Sequence, residues 1–256
     1  MTTSFAPLIH ERAASAPGPI PFSRLVRVEW AKATDTRASR WLLALVALSS
    51  AALVLAPILA PTSFDQTQAT YLGIVAVGLT ILLPVVAILL FAGEWSQRSA
   101  FTTFTQEPRR LRVLNAKLAV SLLLGCGAAV YGGVVTAVAL GLTSASGRSL
   151  EADVGVGIAA GYLVFVLLNV LAGVALGVLL QSSATAIAAS FALPASLGVV
   201  GTASTLVRNW IDMSVWNWVL ENDWGGHLPQ IAVSILFWVA VPLAAGYARA
   251  LRRDVA

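Results

Sequence analysis

The sequence predicts an all-α, polytopic membrane protein with six transmembrane helices. Only 11% of its 256 residues are charged and 58% are hydrophobic, whereas a soluble domain carries about 25% charged residues. The apolar residues are also clustered, because Asp, Glu, Lys and Arg are absent from four long stretches, 66–93, 118–147, 154–207 and 224–248. A helix needs about 20 apolar residues to cross a bilayer. Each stretch is therefore long enough for one span, and 154–207 is long enough for two.

The N-terminal residues divide into two segments before the first span. Residues 1–21 combine several prolines with small polar residues, a composition typical of a disordered lead-in. From residue 22 an amphipathic pattern follows, in which Phe22 and Trp30 recur at helical spacing and basic residues are interleaved. Such a helix lies in the plane of the lipid headgroups. We therefore predict an interfacial helix over 22–40.

The six spans follow in order, and together they make a transmembrane domain over 41–248. The long stretch 154–207 is divided at its central polar cluster, Gln181-Ser182-Ser183, which allows two spans joined by a tight turn. Residues 249–256 form a short tail. The predicted spans lie near 41–61, 70–93, 117–142, 154–180, 186–207 and 229–248.

The basic residues predict the orientation of these spans. With six spans both termini lie on the same side, and every Lys and Arg except Arg148 and Arg208 falls on that side. Short cytoplasmic segments of membrane proteins carry the excess of Lys and Arg. Both termini are therefore predicted to be cytoplasmic. The basic residues orient the chain beside the membrane, so the pI near 9.7 does not indicate a nucleic-acid partner.

Several classes of active site lack their sequence signatures. The chain contains no GxxxxGK[ST], HExxH or GxSxG motif, and its single cysteine, Cys126, excludes an intramolecular disulfide. Ion-coupled transporters usually carry ionisable groups within the bilayer, and the predicted spans have none away from their ends. We therefore predict no catalytic, cofactor or metal site in this chain. Among the polar residues inside the spans, Asn169 is interpreted as a hydrogen-bonding contact between helices.

Two further patterns leave alternatives open. Gly157 with Gly161 and Gly173 with Gly177 have the GxxxG spacing that lets helices approach closely, either within one subunit or at a dimer seam. Residues 208–228 contain four of the eight tryptophans. They form either an aromatic belt at the outer surface or a short helix that dips into the bilayer.

The loop after the second span has the most informative pattern. An acid at the membrane edge, Glu94, is followed by a small-polar and aromatic segment that ends at Pro108, and basic residues then lead to Lys117. The pattern suits a short helix under the membrane, anchored to headgroups by arginines. It equally suits an ordinary basic loop.

This loop resembles that of the type-2 ABC exporter permeases, notably the small six-span permeases of high-GC Gram-positive bacteria. The segment 24–32 is similar to the amphipathic connecting helix that precedes their first span. Arg98 departs from the family pattern, which has a glycine there. The residues that match the family loop in order are Gly93, Glu94, Trp95, Thr102, Thr103, Pro108, Arg109, Arg110 and Lys117.

The resemblance implies the type-2 exporter membrane-domain fold and a place in a bacterial plasma membrane. Two permeases would pair, as a homodimer or with a sister subunit, and each would dock on a separate cytoplasmic ATPase that binds ATP and Mg²⁺. A coupling helix from about residue 96 to 107 would contact that ATPase. The implied coupling residues are Glu94, Trp95, Arg98, Phe101, Thr102, Thr103, Phe104 and Glu107, and those of the connecting helix are Arg24, Arg27, Glu29 and Trp30.

Within that scheme Glu94 would be a switch residue, paired with an arginine of the connecting helix. The apolar spans suggest a hydrophobic or amphipathic cargo such as a drug, lipid or peptide, and the sequence does not identify the substrate pathway. Two alternatives are an ion-coupled secondary transporter or channel without an ATPase, and a membrane enzyme that acts on lipids.

Overall fold

The computed structural model describes residues 20–97, 109–149 and 155–252, and the regular elements in these ranges are all helices. Six of the described helices are long and apolar enough to cross a membrane. The all-helical, six-span prediction is confirmed to that extent. The predicted disordered lead-in lies almost entirely outside the described residues, as does the second half of the predicted tail, residues 253–256.

A helix occupies each predicted span, and the helix of the third span begins at Arg110, ahead of the predicted start near 117. A short π-helical turn, Leu236–Ala240, joins the last two helices into one continuous element. The helices are α1 Phe22–Thr34, α2 Arg37–Leu53, α3 Leu55–Leu59, α4 Gln68–Ser96, α5 Arg110–Ala145, α6 Val156–Leu180, α7 Ser183–Ala203, α8 Asn217–Leu220, α9 Leu228–Ile235 and α10 Val241–Arg252.

The interfacial segment is shorter than the predicted 22–40. Helix α1 ends at Thr34, and the Thr36 side chain accepts a hydrogen bond from the backbone N–H of Ser39 at 3.1 Å. A threonine in this position satisfies one of the free N–H groups at a helix start. A new helix therefore begins at Arg37, and residues 37–40 form the first turn of the first spanning helix.

Helices α4 and α6 form the centre of the molecule. About three fifths of the most apolar window of each helix is buried (61% in both), against 28% or less in the other four spanning helices. Gly173 and Gly177 of α6 allow the close approach, because they face the backbone of Pro84 and Ile88 in α4. This GxxxG motif therefore packs two helices of the same subunit.

The second glycine motif also packs within the subunit. Gly161 faces the carbonyl group of Val219 and Gly157 faces the side chain of Asn222, both in the segment before the last spanning helix. Asn222 itself adopts a positive φ of 60°, a conformation that asparagine tolerates better than most residues.

The tryptophans of 208–228 do not form one exposed belt. Trp216 is fully buried, whereas Trp210 is exposed. Trp218 stacks on His227 with ring centroids 3.8 Å apart. The segment itself folds into short helical turns, among them Met213–Trp216 and α8. These turns pack against α6 and α7, which explains why Trp216 is buried.

Tyrosines, rather than Asn169, provide polar contacts between the helices. The Asn169 amide donates to the Phe165 carbonyl of its own helix at 2.9 Å, so the interhelical interpretation is wrong for this bond. The Tyr131 hydroxyl donates to the Ala47 carbonyl at 2.9 Å and the Tyr162 hydroxyl to the Ala129 carbonyl at 3.1 Å. Hydroxyls that are removed from water, fully at Tyr162 and partly at Tyr131, need such partners.

The predicted orientation is testable with single cysteines. In a Cys126→Ala background, Ser146→Cys in the turn after α5 should be labelled by a membrane-impermeant maleimide on intact cells. Asp35→Cys, between α1 and α2, should be labelled only after permeabilisation, because the basic side of the chain is retained in the cytoplasm. Both positions are exposed. Labelling of Asp35→Cys on intact cells would reverse the orientation.

Candidate functional site

Four charged side chains from three helices meet beside the last turn of α4, just before residues 98–108. Glu29 and Lys32 come from α1, Glu94 from the last turn of α4, and Lys117 from the second turn of α5. We call these four residues the lysine–glutamate cluster. The Lys32 Nζ lies 2.7 Å from Glu29 Oε1 and 2.6 Å from Glu94 Oε1. The Lys117 Nζ lies 2.6 Å from Glu29 Oε2 and 3.1 Å from Glu94 Oε1.

The local sequence explains how each group reaches the cluster. Glu29 and Lys32 are three residues apart, so they share one face of α1. Glu94 is the first acid after the apolar run of α4, and it lies beside Lys117 because α4 packs along α5. The Lys117 ammonium also donates to the Leu90 carbonyl at 3.0 Å.

Apolar side chains hold α1 against α4 and α5 beneath the cluster. Ala33 packs with Leu90 and Val120, and Val26 and Leu124 complete this small core. Removal of these side chains from water stabilises the contact and at the same time desolvates the charges above them. The cluster is therefore attached to a small hydrophobic core of its own, separate from the one that α4 forms with α6.

Burial makes the charges of the cluster depend on one another. The Glu29 and Lys117 side chains are only 4% and 3% exposed, and a buried charge is tolerated when it is paired and hydrogen-bonded. Burial alone would lower the pKa of Lys32, but Glu29 and Glu94 outweigh it and raise that pKa above its usual value. Lys32 is therefore an ammonium ion at neutral pH.

The partner of Glu94 differs from the expectation. An arginine of the connecting helix was predicted, whereas the structure pairs Glu94 with Lys32 of that helix and with Lys117 of α5. Arg24 and Arg27 are exposed. An ammonium is more compact than a guanidinium and can donate in three directions, so each lysine can contact both Glu29 and Glu94.

The other predicted residues are only partly described. Trp30 is exposed on α1 and Trp95 is half-buried in the last turn of α4. Ser183 at the start of α7 donates its backbone N–H to the Ser96 hydroxyl at 2.9 Å, which fixes the end of α4 in place. The remaining coupling residues, Arg98, Phe101, Thr102, Thr103, Phe104 and Glu107, lie outside the described residues.

The shared position of Lys32 and Lys117 in one site is not among the predictions from sequence. One signal was present, since this arginine-rich chain has just two lysines and both stand beside the membrane in the predicted topology. Lys32 also follows Glu29 at a spacing that favours pairing on a helix. The contact of Lys117 with Glu29 joins residues 88 positions apart, and no local pattern indicates it.

A cleft of about 1010 Å³ opens beside the cluster, between α1 and the adjoining ends of α2 and α4. Its walls contain all four charged residues and several apolar side chains. Among the described residues, no group of three or more His, Cys, Asp or Glu side chains is arranged to hold a metal ion. Both carboxylates of the cluster are engaged by ammonium groups, an arrangement suited to joining helices.

Comparison of the chain with protein-family models, with curated proteins and with solved structures gives no match.

Proposed function

We propose that this protein is the membrane subunit of an ATP-binding-cassette transporter, which forms the translocation pathway as a dimer and is driven by a separate cytoplasmic ATPase. The observation that carries the proposal is the lysine–glutamate cluster. It joins the connecting helix α1 to the end of α4 and the start of α5. Helices α4 and α5 lie on either side of residues 98–108 in the sequence, where the ATPase would dock.

The cluster explains how movement of that loop would reach the membrane. Glu94 lies four residues before Arg98, and its paired charges resist separation of α1, α4 and α5 because each buried group needs its partners. Helix α4 also packs along the whole centre of the molecule with α6. A displacement at the end of α4 would therefore shift the central helix pair rather than a loop alone.

The remaining parts of the proposal rest on the family resemblance and on composition. ATP and Mg²⁺ would be bound by the partner ATPase, and a second permease would complete the pathway. The cargo would be hydrophobic or amphipathic, since the six spanning helices are highly apolar. Export is the direction implied by the resemblance, and the bacterial plasma membrane is the implied location.

Glu94→Gln should uncouple transport from ATP hydrolysis. The substitution keeps the shape of the side chain but removes the charge that holds Lys32 and Lys117, and hydrogen bonds to charged groups are worth about 1.5–3 kcal/mol. We expect ATP-driven transport by the reconstituted complex to fall about tenfold or more, while the ATPase stays bound. The control is Asp35→Asn, an exposed acid on the same predicted side. Normal transport by Glu94→Gln would remove the cluster from the coupling mechanism.

The partner itself is tested by affinity purification of the tagged chain from its host in mild detergent, with mass spectrometry of the proteins that accompany it. A stoichiometric P-loop ATPase that is lost from Thr103→Pro would support the proposal, because proline breaks a helix in the predicted coupling segment. A second six-span protein in the sample would identify a heterodimer. A chain that purifies alone, with no ATP-driven transport in vesicles, would refute the proposal and favour ion coupling.

A further inference from the structure

The cleft beside the lysine–glutamate cluster has an apolar part and a charged part. Its apolar wall includes Leu42 of α2 and Val86, Leu89 and Leu90 of α4, and its charged wall includes Glu94. Val86 and Glu94 are eight residues apart on one helix, which corresponds to about 12 Å at 1.5 Å per residue. One leaflet of the hydrocarbon core is about 15 Å deep. The cleft is therefore long enough to follow most of one leaflet.

The shape of the cleft follows from how the helices pack. Helices α2 and α4 touch closely farther along their length, where Gly78 faces the backbone of Ser50 and the Ser49 hydroxyl donates to the Gly78 carbonyl at 2.9 Å. Nearer the predicted cytoplasmic side, α1 packs mainly on α5 and has few contacts with α2 or α4. The space that remains between α1, α2 and α4 is the cleft.

The charged part of the cleft presents cations rather than anions. The two carboxylates, Glu29 and Glu94, are 4% and 13% exposed, whereas the Lys32 side chain is 39% exposed. Arg24, which precedes Glu29 by five residues on α1, also lines the cleft and is exposed. With Lys117, three basic side chains stand against two acidic ones. The accessible charge at this end is positive.

We infer that the cleft binds one anionic phospholipid of the cytoplasmic leaflet. Its phosphate would contact Arg24 and the exposed part of Lys32, and one acyl chain would lie along Leu42 and Leu89. The positive accessible charge complements a phosphate, and the apolar wall complements a hydrocarbon chain. Within a membrane, lipids are the abundant molecules that combine these two parts. Such a lipid would stay with the protein, and its binding would not require an ATPase partner or a cargo.

The bound lipid would fill the gap that α1 leaves against α2 and α4. Because α1 makes few direct contacts with those helices, the lipid would supply apolar contact on that side of the lysine–glutamate cluster. It would also exclude water from Lys32 and thereby strengthen its attraction to Glu29 and Glu94.

The test is native mass spectrometry of the full-length chain in mild detergent, titrated separately with phosphatidylglycerol and phosphatidylcholine. We expect one tightly held phosphatidylglycerol and weaker phosphatidylcholine binding. Arg24→Gln should weaken phosphatidylglycerol binding about fivefold, the effect of one basic residue near an anionic headgroup, and leave phosphatidylcholine binding unchanged. The matched control is Arg27→Gln, which removes the same charge from an exposed position of α1 that does not line the cleft.

The apolar part is tested in the same assay with Leu89→Trp, which fills the cleft from α4 and should weaken the binding of both lipids. Its control is Ile81→Trp, an exposed position of the same helix outside the cleft. Equal losses in Arg24→Gln and Arg27→Gln would mean diffuse surface attraction and would overturn the inference. Displacement of the lipid by glycerol 3-phosphate, with Leu89→Trp unaffected, would indicate a site for free phosphate esters and would also overturn it.

Discussion

Lys117→Met should lower the free energy of unfolding by about 3–5 kcal/mol, the cost of removing one partner from a buried ion pair. The variant removes one of the two ammonium groups that the lysine–glutamate cluster supplies to Glu29 and Glu94, at a site where the Glu29 side chain is only 4% exposed. The measurement is unfolding by SDS in mild detergent, followed by tryptophan fluorescence.

A double variant separates the charge imbalance from the loss of the lysine itself. Glu29→Gln together with Lys117→Met leaves the Lys32–Glu94 pair balanced, so we expect it to be more stable than Lys117→Met alone, with an interaction energy of about 1–3 kcal/mol. Arg40→Gln is the surface control, because Arg40 and Asp35 are both 68% exposed and 3.9 Å apart. It should change stability by less than about 1 kcal/mol. A Lys117→Met protein as stable as this control would refute the buried cluster.

Gly173→Ala should destabilise the protein by about 1–3 kcal/mol, the usual cost of overpacking a filled interior. A Cβ atom at this position would lie 2.6 Å from the carbonyl oxygen and 2.9 Å from the Cα atom of Pro84. Both belong to the backbone of α4, so the two central helices would have to move apart. The same SDS titration measures the loss.

Gly127→Ala in α5 provides the control for Gly173→Ala. A Cβ atom there meets nothing within 4 Å, so within one subunit the variant should be neutral or up to about 1 kcal/mol more stable, since alanine favours helix more than glycine does. If Gly173→Ala leaves stability unchanged but reduces the dimer fraction, the Gly173–Gly177 motif lies at a dimer seam instead of packing within one subunit. Loss of dimer in Gly127→Ala alone would instead place the seam on the exposed face of α5.

Residues 208–228 and helix α1 show where local patterns were insufficient. Four tryptophans between 208 and 228 have the composition of an interfacial belt, yet Trp216 is buried by its packing within the fold. The amphipathic pattern predicts an interfacial helix as far as residue 40, although α1 ends at Thr34 and Thr36 caps the start of a spanning helix. In both cases the short-range pattern does not indicate which residues a side chain packs against or where a helix ends.

The sequence by itself determined the class of the protein, the number of candidate spans and their approximate limits, because a bilayer imposes a length and an apolar composition that can be counted. The basic residues likewise determined the predicted orientation. Only the tertiary structure decided which glycines pack against which backbone, and that Lys32 and Lys117, rather than an arginine, join Glu94 to Glu29. Such choices depend on the space between helices that are distant in sequence, where a buried charge is tolerated only in contact with its partner.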